Sequence, residues 1–157
     1  MDPSDYLKAL LVANSATQAM QAAVDRVRDV FACDVAWTGL LHEDECLHIG
    51  AHAGLRTPEM PGTWRLEVGA GIGGRAAQLG RAHKSNDYQH DARRVPAKRV
   101  IDNEGIVAVL VVPILAADRT LGVLYAASRT PRRWSDDQAT RLETISHYLA
   151  VRLKQLD

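Results

Sequence analysis

The stretch VGAGIGGRA, residues 68–76, decides how the rest of this chain is interpreted. Gly69, Gly71 and Gly74 satisfy the spacing G-x-G-x-x-G, and Asp91 follows roughly 20 residues later, as in dinucleotide-binding sites. A dinucleotide-binding half, however, is built from βαβ units that feed a parallel sheet. The preceding residues predict two helices and a β-hairpin instead, so we interpret the glycines as a tight strand-to-helix turn.

Upstream of this stretch, the spacing of apolar residues predicts two helices followed by a β-hairpin. Asp2-Pro3 offers a helix cap and a first-turn proline, and residues 15–18 have the form of a capping box. Residues 35–42 alternate between two faces, and 47–53 follow a polar turn at 43–45. That pattern is typical of two paired antiparallel strands.

Downstream of the glycines, the sequence predicts short elements joined by loops. Residues 58–62 predict a loop, 64–68 predict a short strand, and the helix that the glycines open ends at Gly80. Residues 87–105 are polar and basic and contain Pro96. We therefore expect a loop there that carries an irregular short helix.

The last third of the chain predicts the centre of the sheet and a closing helix. Residues 106–115 and 121–127 are nearly all apolar and are joined by a turn at 117–119, as expected for a buried hairpin. A capping box at 135–138 then begins an amphipathic helix. Its apolar stripe consists of Leu142, Ile145, Leu149, Leu153 and Leu156.

Composition narrows the possible function classes. The chain has 157 residues and a formal net charge of zero, so it has no overall field for binding nucleic acid or anionic lipid. Its cysteines, Cys33 and Cys46, are too few for a disulfide framework, and no apolar stretch is long enough to cross a membrane. We therefore expect a cytoplasmic domain that makes no direct contact with nucleic acid or membrane.

Several separate motifs occur in an order that indicates one family. They are the turn at 68–76, Gly80, Asn86-Asp87, Val112-Pro113-Ile114 and Leu121-Gly122-Val123-Leu124. In this order they resemble the motifs of the GAF family of sensory domains. The resemblance covers nearly the whole chain and is more specific than the glycines alone.

The resemblance implies an α+β fold with a central six-stranded antiparallel sheet. The chain would form a single domain, 1–157, with its terminal helices, 1–32 and 135–157, packed on one face of the sheet. The sheet and a ligand pocket would occupy residues 33–130. Loops and short helices from residue 72 to residue 103 would roof that pocket on the other face.

The resemblance also indicates which residues would contact a ligand. They are Trp37, His52, Trp64, Ile72, Gly73, Asp87, Tyr88, Arg94, Arg99, Val107 and Val109. Free N–H groups at Ile72 and Gly73 could receive a carboxylate, phosphate or carbonyl oxygen. Trp37 and Trp64 could stack a planar ring, although Trp37 fits sheet-core packing better and Asp87 fits a turn.

The basic residues of the roof segment leave two interpretations open. Arg93, Arg94, Lys98 and Arg99 could pair with an anionic ligand, or they could belong to a solvated loop. Together with the two indole rings, they lead us to expect an organic effector that is aromatic or anionic.

Two departures from the family's cyclic-nucleotide branch disfavour cyclic GMP. Members of that branch often carry Phe-Asp where this chain has Ala51-His52. They also show an Asn-Lys, Phe and Asp-Glu pattern before the last helix. This chain has Ser128, Arg129, Trp134, Asp136 and Asp137 there.

Catalysis, metal binding and a covalent chromophore receive little support. Free methionine sulfoxide reductases of the family need cysteines in the roof, as a bilin thioether would, but no cysteine occurs between Gly54 and Asp157. Strand alternation puts His48 and His52 on one face, near His42, which raises a metal or haem site as an alternative. Because two imidazoles alone are usually surface residues, we expect no metal or cofactor. The sequence also shows no Ser-His-Asp or nucleophile-elbow arrangement, so we expect no enzyme activity.

The function that fits best is a sensor for an intracellular small molecule. Its signal would leave through the closing helix. The apolar stripe of that helix would pair with a partner helix in a homodimer, or it would pack on the domain's own sheet, as we expect for Leu142 to Leu149. The output, such as the DNA-binding module of a transcription regulator, would lie beyond Asp157. The alternatives are a dimerisation module with a vestigial, ligand-free pocket and, third, a haem or cyclic-nucleotide sensor.

Overall fold

The computed structural model describes residues 3–95 and 99–157. Six strands within these ranges pair into one antiparallel sheet. The strands are β1, Val35–Leu41; β2, Cys46–Ala53; β3, Arg65–Glu67; β4, His83–Ser85; β5, Ala108–Leu115; and β6, Thr120–Ser128. Their order is β3-β2-β1-β6-β5-β4, so the two long hairpins meet at the central β1–β6 pair. The predicted α+β fold with a six-stranded antiparallel sheet is confirmed.

Helices cover both faces of the sheet. Three helices lie on the helix face: α1, Pro3–Val12; α2, Ala16–Phe31; and α6, Asp136–Leu156. The roof face carries α3, Glu59–Thr63; α4, Gly71–Leu79; a 3₁₀ turn, Tyr88–His90; and α5, Arg99–Asn103. Over residues 3–95 and 99–157, no helix has both the length and the apolar character that a membrane crossing requires.

The helix-face core forms where alternate strand residues meet the apolar stripes of the helices. Leu110, Val112 and Leu124 point from β5 and β6 toward this face, where they are fully buried together with Val24 and Leu149. Strand side chains alternate with a period of two and helix side chains with a period of 3.6 residues. These two sequence patterns therefore build one continuous core.

The predicted apolar stripe of α6 belongs to this core. Leu142, Ile145 and Leu149 are buried in it, and Leu153 and Leu156 are partly buried against it. A side chain that is already buried in its own domain offers no surface to a partner helix. The three buried residues therefore pack on the domain's own sheet, which is the alternative that the sequence left open, and they do not form a dimer face. Homodimerisation itself stays a prediction.

Helix caps explain where two of these helices begin. Ser135 and Gln138 form the predicted capping box at α6, with hydrogen bonds in both directions. At α2, the Ser15 hydroxyl accepts a hydrogen bond from the Gln18 N–H, but the Gln18 side chain accepts from Asn14 instead of Ser15. The cap of α2 therefore also satisfies two backbone N–H groups, but they are those of Gln18 and Asn14.

A β-bulge in the first hairpin reverses the alternation of β2. The register of β1 and β2 shifts just after Trp37, and the Thr38 hydroxyl accepts a hydrogen bond from the Ala51 N–H at 2.9 Å. His52 consequently lies opposite Trp37 on the roof face, whereas His48 lies on the helix face. The prediction that His48 and His52 share a face is therefore wrong.

Two segments of the roof differ from the prediction. The predicted loop over 58–62 mostly forms α3, because Met60 is fully buried and its carbonyl accepts a hydrogen bond from the Trp64 N–H at 3.0 Å. The sequence did not predict β4, since its three residues show no hydrophobic alternation. It forms by pairing with β5 from Val109 to Val111.

Candidate ligand cavity

Three aromatic rings, the aromatic trio of Trp37, Trp64 and Tyr125, form the centre of the roof-face core. Trp37 of β1 and Tyr125 of β6 lie opposite each other in the strand register, and their rings stack with centroids 4.1 Å apart and planes 15° apart. Trp64, just before β3, meets Trp37 edge-on at 6.2 Å and Tyr125 at 5.8 Å. Such geometry suits the ring quadrupoles.

A small cavity lies between the trio and the roof. Its lining consists of Trp37, Trp64, Leu66, Gly71, Ile72, Gly73, Tyr88, Val95, Ile101, Val109 and Tyr125. Six of the predicted ligand contacts are among these residues, namely Trp37, Trp64, Ile72, Gly73, Tyr88 and Val109. The cavity volume is about 20 Å³, close to the roughly 10–15 Å³ that one water molecule requires.

The first turn of α4 closes directly onto Tyr125. A Cβ atom at Gly73 would collide with the Tyr125 hydroxyl, so only glycine allows this approach. Burial raises the pKa of the Tyr125 phenol, with a smaller contribution from Tyr88, so the hydroxyl stays neutral at physiological pH. The neutral Tyr125 hydroxyl therefore lies against Gly73, one of the two residues at the start of α4 that the sequence predicted to contact a ligand.

The indole N–H of Trp37 is a buried donor that lacks a partner. Trp37 is 0% exposed, and its Nε1 has no hydrogen-bond acceptor among the described residues. A buried donor left without an acceptor costs about 1–3 kcal/mol. Trp37 is thus a residue of the cavity lining that carries a buried donor without an acceptor among the described residues.

Two cations of the roof are paired with carboxylates of the chain itself. Arg94 Nη2 lies 2.8 Å from Asp102 Oδ2, and its guanidinium covers the Tyr88 ring at 5.3 Å. Arg93 Nη2 lies 2.7 Å from Asp91 Oδ2, and hydrogen bonds from Arg93 hold the pKa of Asp91 well below its usual range. Their positive charges are therefore largely compensated without an anionic ligand.

Four other predicted contacts, His52, Asp87, Arg94 and Val107, are not among the residues that line the cavity. His52 is exposed on the roof face, and Asp87 is exposed with its Oδ2 2.9 Å from His90 Nδ1. Val107 acts through its backbone, since its carbonyl accepts a 2.6 Å hydrogen bond from the Tyr88 N–H. The side chain of Arg99 lies outside the described residues, as does all of Lys98.

A buried ion pair ties the roof to the end of β6. Glu104 is 1% exposed and its Oε1 lies 2.7 Å from Arg129 Nη2. Its carboxylate also accepts hydrogen bonds from the Arg56 N–H, the Thr57 N–H and the Thr57 hydroxyl. Burial by itself would raise the pKa of Glu104, but these hydrogen bonds outweigh burial and lower it. The sequence prediction missed this junction.

A family model for the GAF domain matches residues 13–154. The chain belongs to the GAF domain family. Among solved structures, it is similar to the GAF domain of an Acinetobacter phosphoenolpyruvate-protein phosphotransferase, with a TM-score of 0.82 and 21% identity over 97% of this chain and 90% of that one. No curated protein matches the chain.

Two further solved structures share the GAF fold. The free methionine-R-sulfoxide reductase of Neisseria meningitidis has a TM-score of 0.82 and 16% identity, over 98% of this chain and 86% of that one. The PixJ GAF domain of Thermosynechococcus elongatus has a TM-score of 0.71 and 18% identity, over 90% and 86%. One fold thus occurs in proteins that differ in chemistry, so function has to be derived from the site.

Two histidines of this GAF domain lie close together beside a carboxylate, but the described residues form no metal site there. The His42 and His48 rings lie 4.3 Å apart, and His48 Nε2 is 2.8 Å from Asp44 Oδ2. Across residues 3–95 and 99–157, no cluster of three His, Cys, Asp or Glu side chains has a geometry that could hold a metal ion. The bulge explains part of this separation, because it turns His52 to the opposite face from His48.

Sequence reasoning missed Tyr125, although a signal for it exists. Along β6, alternation puts Val123, Tyr125 and Ala127 on one face, and the other two are small aliphatic residues. A single tyrosine between two small aliphatic residues on the same face of a strand indicates that its ring packs against other residues of that face. Its pairing with Trp37, however, depends on the strand register, which one sequence does not give.

Proposed function

We propose that this GAF domain is a sensor whose effector binds in the cavity beneath the aromatic trio. The observation that carries the proposal is that Trp37, whose buried N–H has no acceptor among the described residues, lines a largely apolar and aromatic cavity. Small-molecule sites commonly combine apolar walls with a few placed polar groups. An effector with an acceptor oxygen would satisfy this donor and bury its own apolar surface.

The local charges favour an aromatic effector over an anionic one. Arg93 and Arg94 already have carboxylate partners, so an anion would have to compete with Asp91 and Asp102 for them. A planar ring could instead stack on the trio. With a cavity of about 20 Å³, an effector of that size requires the roof to move when it binds.

The Glu104–Arg129 junction offers a route for the signal. Ile101 of α5 lines the cavity, and Glu104 immediately follows that helix. Arg129 immediately follows β6, and its N–H donates to Asp34 at the start of β1. A shift of α5 would therefore also displace the segment that leads into α6.

We propose that the output is transcription regulation in the cytoplasm, carried by a separate DNA-binding module.

Ligand-induced thermal stabilisation tests the sensor. Unfolding would be followed with a panel of aromatic acids, phenols, nucleobases and cyclic nucleotides. A binder at about 100 times its Kd adds about 2.7 kcal/mol, which raises the Tm by several degrees. Trp37→Phe should abolish most of that rise, because it removes the indole donor.

Trp134→Phe is the matched control. Its indole N–H is also buried without an acceptor among the described residues, but Trp134 lies in the helix-face core against Phe31. We expect this variant to keep the ligand-induced rise. Equal loss in both variants, or a rise unaffected by Trp37→Phe, would contradict the proposed site.

The second candidate is a dimerisation module whose pocket is filled by its own side chains. The near-closed cavity favours it, as does an exposed apolar strip formed by Leu7, Leu11, Tyr148 and Val151, which are 38%, 68%, 43% and 45% exposed. Arg152 donates to the Leu11 carbonyl at 3.1 Å and so joins the two helices of the strip. The occupant we propose is a second copy, because two chains of zero net charge do not repel each other.

Light scattering after size exclusion tests this dimer. The wild-type chain should elute as a dimer, and Leu11→Glu with Tyr148→Glu should elute as a monomer. Leu79→Glu is the control, since Leu79 is 52% exposed on α4, on the other face of the sheet. A monomeric wild type would eliminate the dimerisation module. In either candidate we propose no catalytic role, and both cysteines are buried.

A further inference from the structure

The phenol ring of Tyr125 occupies the middle of the candidate site. Its plane stacks on Trp37, its edge meets Trp64, and its side chain is 5% exposed. The contacts that a planar aromatic ligand would make with the two indoles are therefore already made by a side chain of the domain.

The hydroxyl end of Tyr125 lies at the other predicted contact. It meets the backbone of α4 at Gly73, so closely that a Cβ there would collide with it. Ring and hydroxyl together span the space from the sheet floor to the start of the helix. The cavity of about 20 Å³ is what remains around this side chain.

The neighbouring side chains show how much of the site Tyr125 fills. On the same face of the sheet, its neighbours along β6 are Val123 and Ala127, and its partner on β5 is Val111. All three are small, so removing the phenol would leave a space of about its own volume beside the two indoles.

We propose that Tyr125 is an internal ligand, and that the site it fills accepts one monocyclic aromatic ring that carries an acceptor oxygen. This inference rests on the proposed function for the location of the effector. Tyr125 does not supply an acceptor to the Trp37 N–H, which has none in the part of the chain that the structure describes. An external ring with an oxygen in reach of that donor would gain a hydrogen bond that the internal ring does not make, and it could therefore displace Tyr125.

Self-occupancy also sets the affinity of the site. A ligand that binds only when Tyr125 has left pays for that displacement, so its apparent affinity falls by the fraction of molecules in the open state. Removing the phenol should therefore tighten binding of a ring with the same shape. The probe of that shape is p-cresol, which is the tyrosine side chain itself.

The experiment measures p-cresol binding to wild type and to Tyr125→Ala, by calorimetry and by Tm. We expect Tyr125→Ala to have a lower Tm than wild type, a saturable recovery of several degrees with p-cresol, and an affinity at least about tenfold above that of wild type. Toluene should bind this variant more weakly, because it has no oxygen that could accept a hydrogen bond from the Trp37 N–H. If Tyr125→Ala does not fold, Tyr125→Val keeps a side chain that favours strands and takes its place.

Phe31→Ala is the matched control, because it removes a similar ring from the helix-face core, beside Trp134. There we expect toluene to be preferred over p-cresol. The proposal is overturned if p-cresol neither stabilises nor binds the folded Tyr125 variant, or if it binds that variant and Phe31→Ala alike.

The outcomes separate this inference from the proposed function. If Tyr125→Ala binds p-cresol while no compound of the panel shifts wild type, the internal ligand is supported and the sensor is not. If wild type binds an effector while the Tyr125 variant ignores p-cresol, the sensor stands and the internal ligand is overturned.

Discussion

The two faces of the sheet are covered by helices of very different length. On the helix face, α2 and α6 have 16 and 21 residues and meet the sheet through aliphatic side chains. On the roof face, α3, α4 and α5 have five, nine and five residues. Helices this short are marginal on their own, so the roof depends on its ties to the sheet.

Because of this difference in helix length, we expect the roof face to open more readily than the helix face. A continuous apolar core under long helices opens only when much of the domain unfolds, whereas short elements with polar ties open at lower cost. On the roof face, the tie at Glu104 joins α5 to residues 56–57 and to Arg129. A binding site on this face can therefore change its packing while the helix-face core stays intact.

The largest expected effect comes from a cavity in the helix-face core. Leu142→Ala should lower the free energy of unfolding by about 2–5 kcal/mol, because Leu142 is fully buried and its neighbours are held by long helices. Chemical denaturation followed by circular dichroism measures it. Leu79→Ala on α4 is the control, because its 52% exposure predicts a change within about 0.5 kcal/mol.

A second probe in the same experiment sharpens the comparison. In a Trp134→Phe background, fluorescence from Trp37 and Trp64 reports on the roof face, whereas circular dichroism is dominated by the long helices. For Leu142→Ala we expect the two transitions to coincide, since the roof rests on the sheet that this core supports. If the roof unfolded at a higher denaturant concentration than the helices, the proposal that the roof face opens more readily than the helix face would be contradicted.

The architecture could be predicted from the sequence because its signals are local. The caps at Ser15 and Ser135, the alternation of the two hairpins and the glycine turn each depend on a few neighbouring residues. Family motifs in the right order then indicated the sheet. The sequence did not predict β4, because its three residues show no hydrophobic alternation and the strand forms by pairing with β5.

The site was predicted less well because its contacts are not local. Trp37 meets Tyr125 through a strand register, and the bulge at Thr38 sends His52 away from His48. Pairing of Arg94 with Asp102 likewise depends on how the roof folds back. The sequence shows that such charges exist but not which of them pair with each other, so an anionic effector stays a prediction.

The smaller expected effect is an acid-dependent loss of the roof's tie. Hydrogen bonds lower the pKa of Glu104 in the folded domain below its ordinary value of 4.5. A group with a depressed folded pKa stabilises the fold fully above its unfolded pKa, and this contribution is lost as the pH falls through the folded pKa. Stability should therefore decline below about pH 4.5 partly because Glu104 takes up a proton.

Glu104→Gln isolates that part, because it keeps the shape of the side chain and removes the charge opposite Arg129. At pH 7 the variant should be less stable than wild type, and its stability should depend less on pH between 5 and 3. Asp91 also has a lowered pKa, so some acid dependence should remain. Denaturation midpoints across this pH range measure the difference between the two proteins. Parallel pH profiles would mean that the charge of Glu104 does not hold the roof, and the comparison of the faces would then rest on helix length alone.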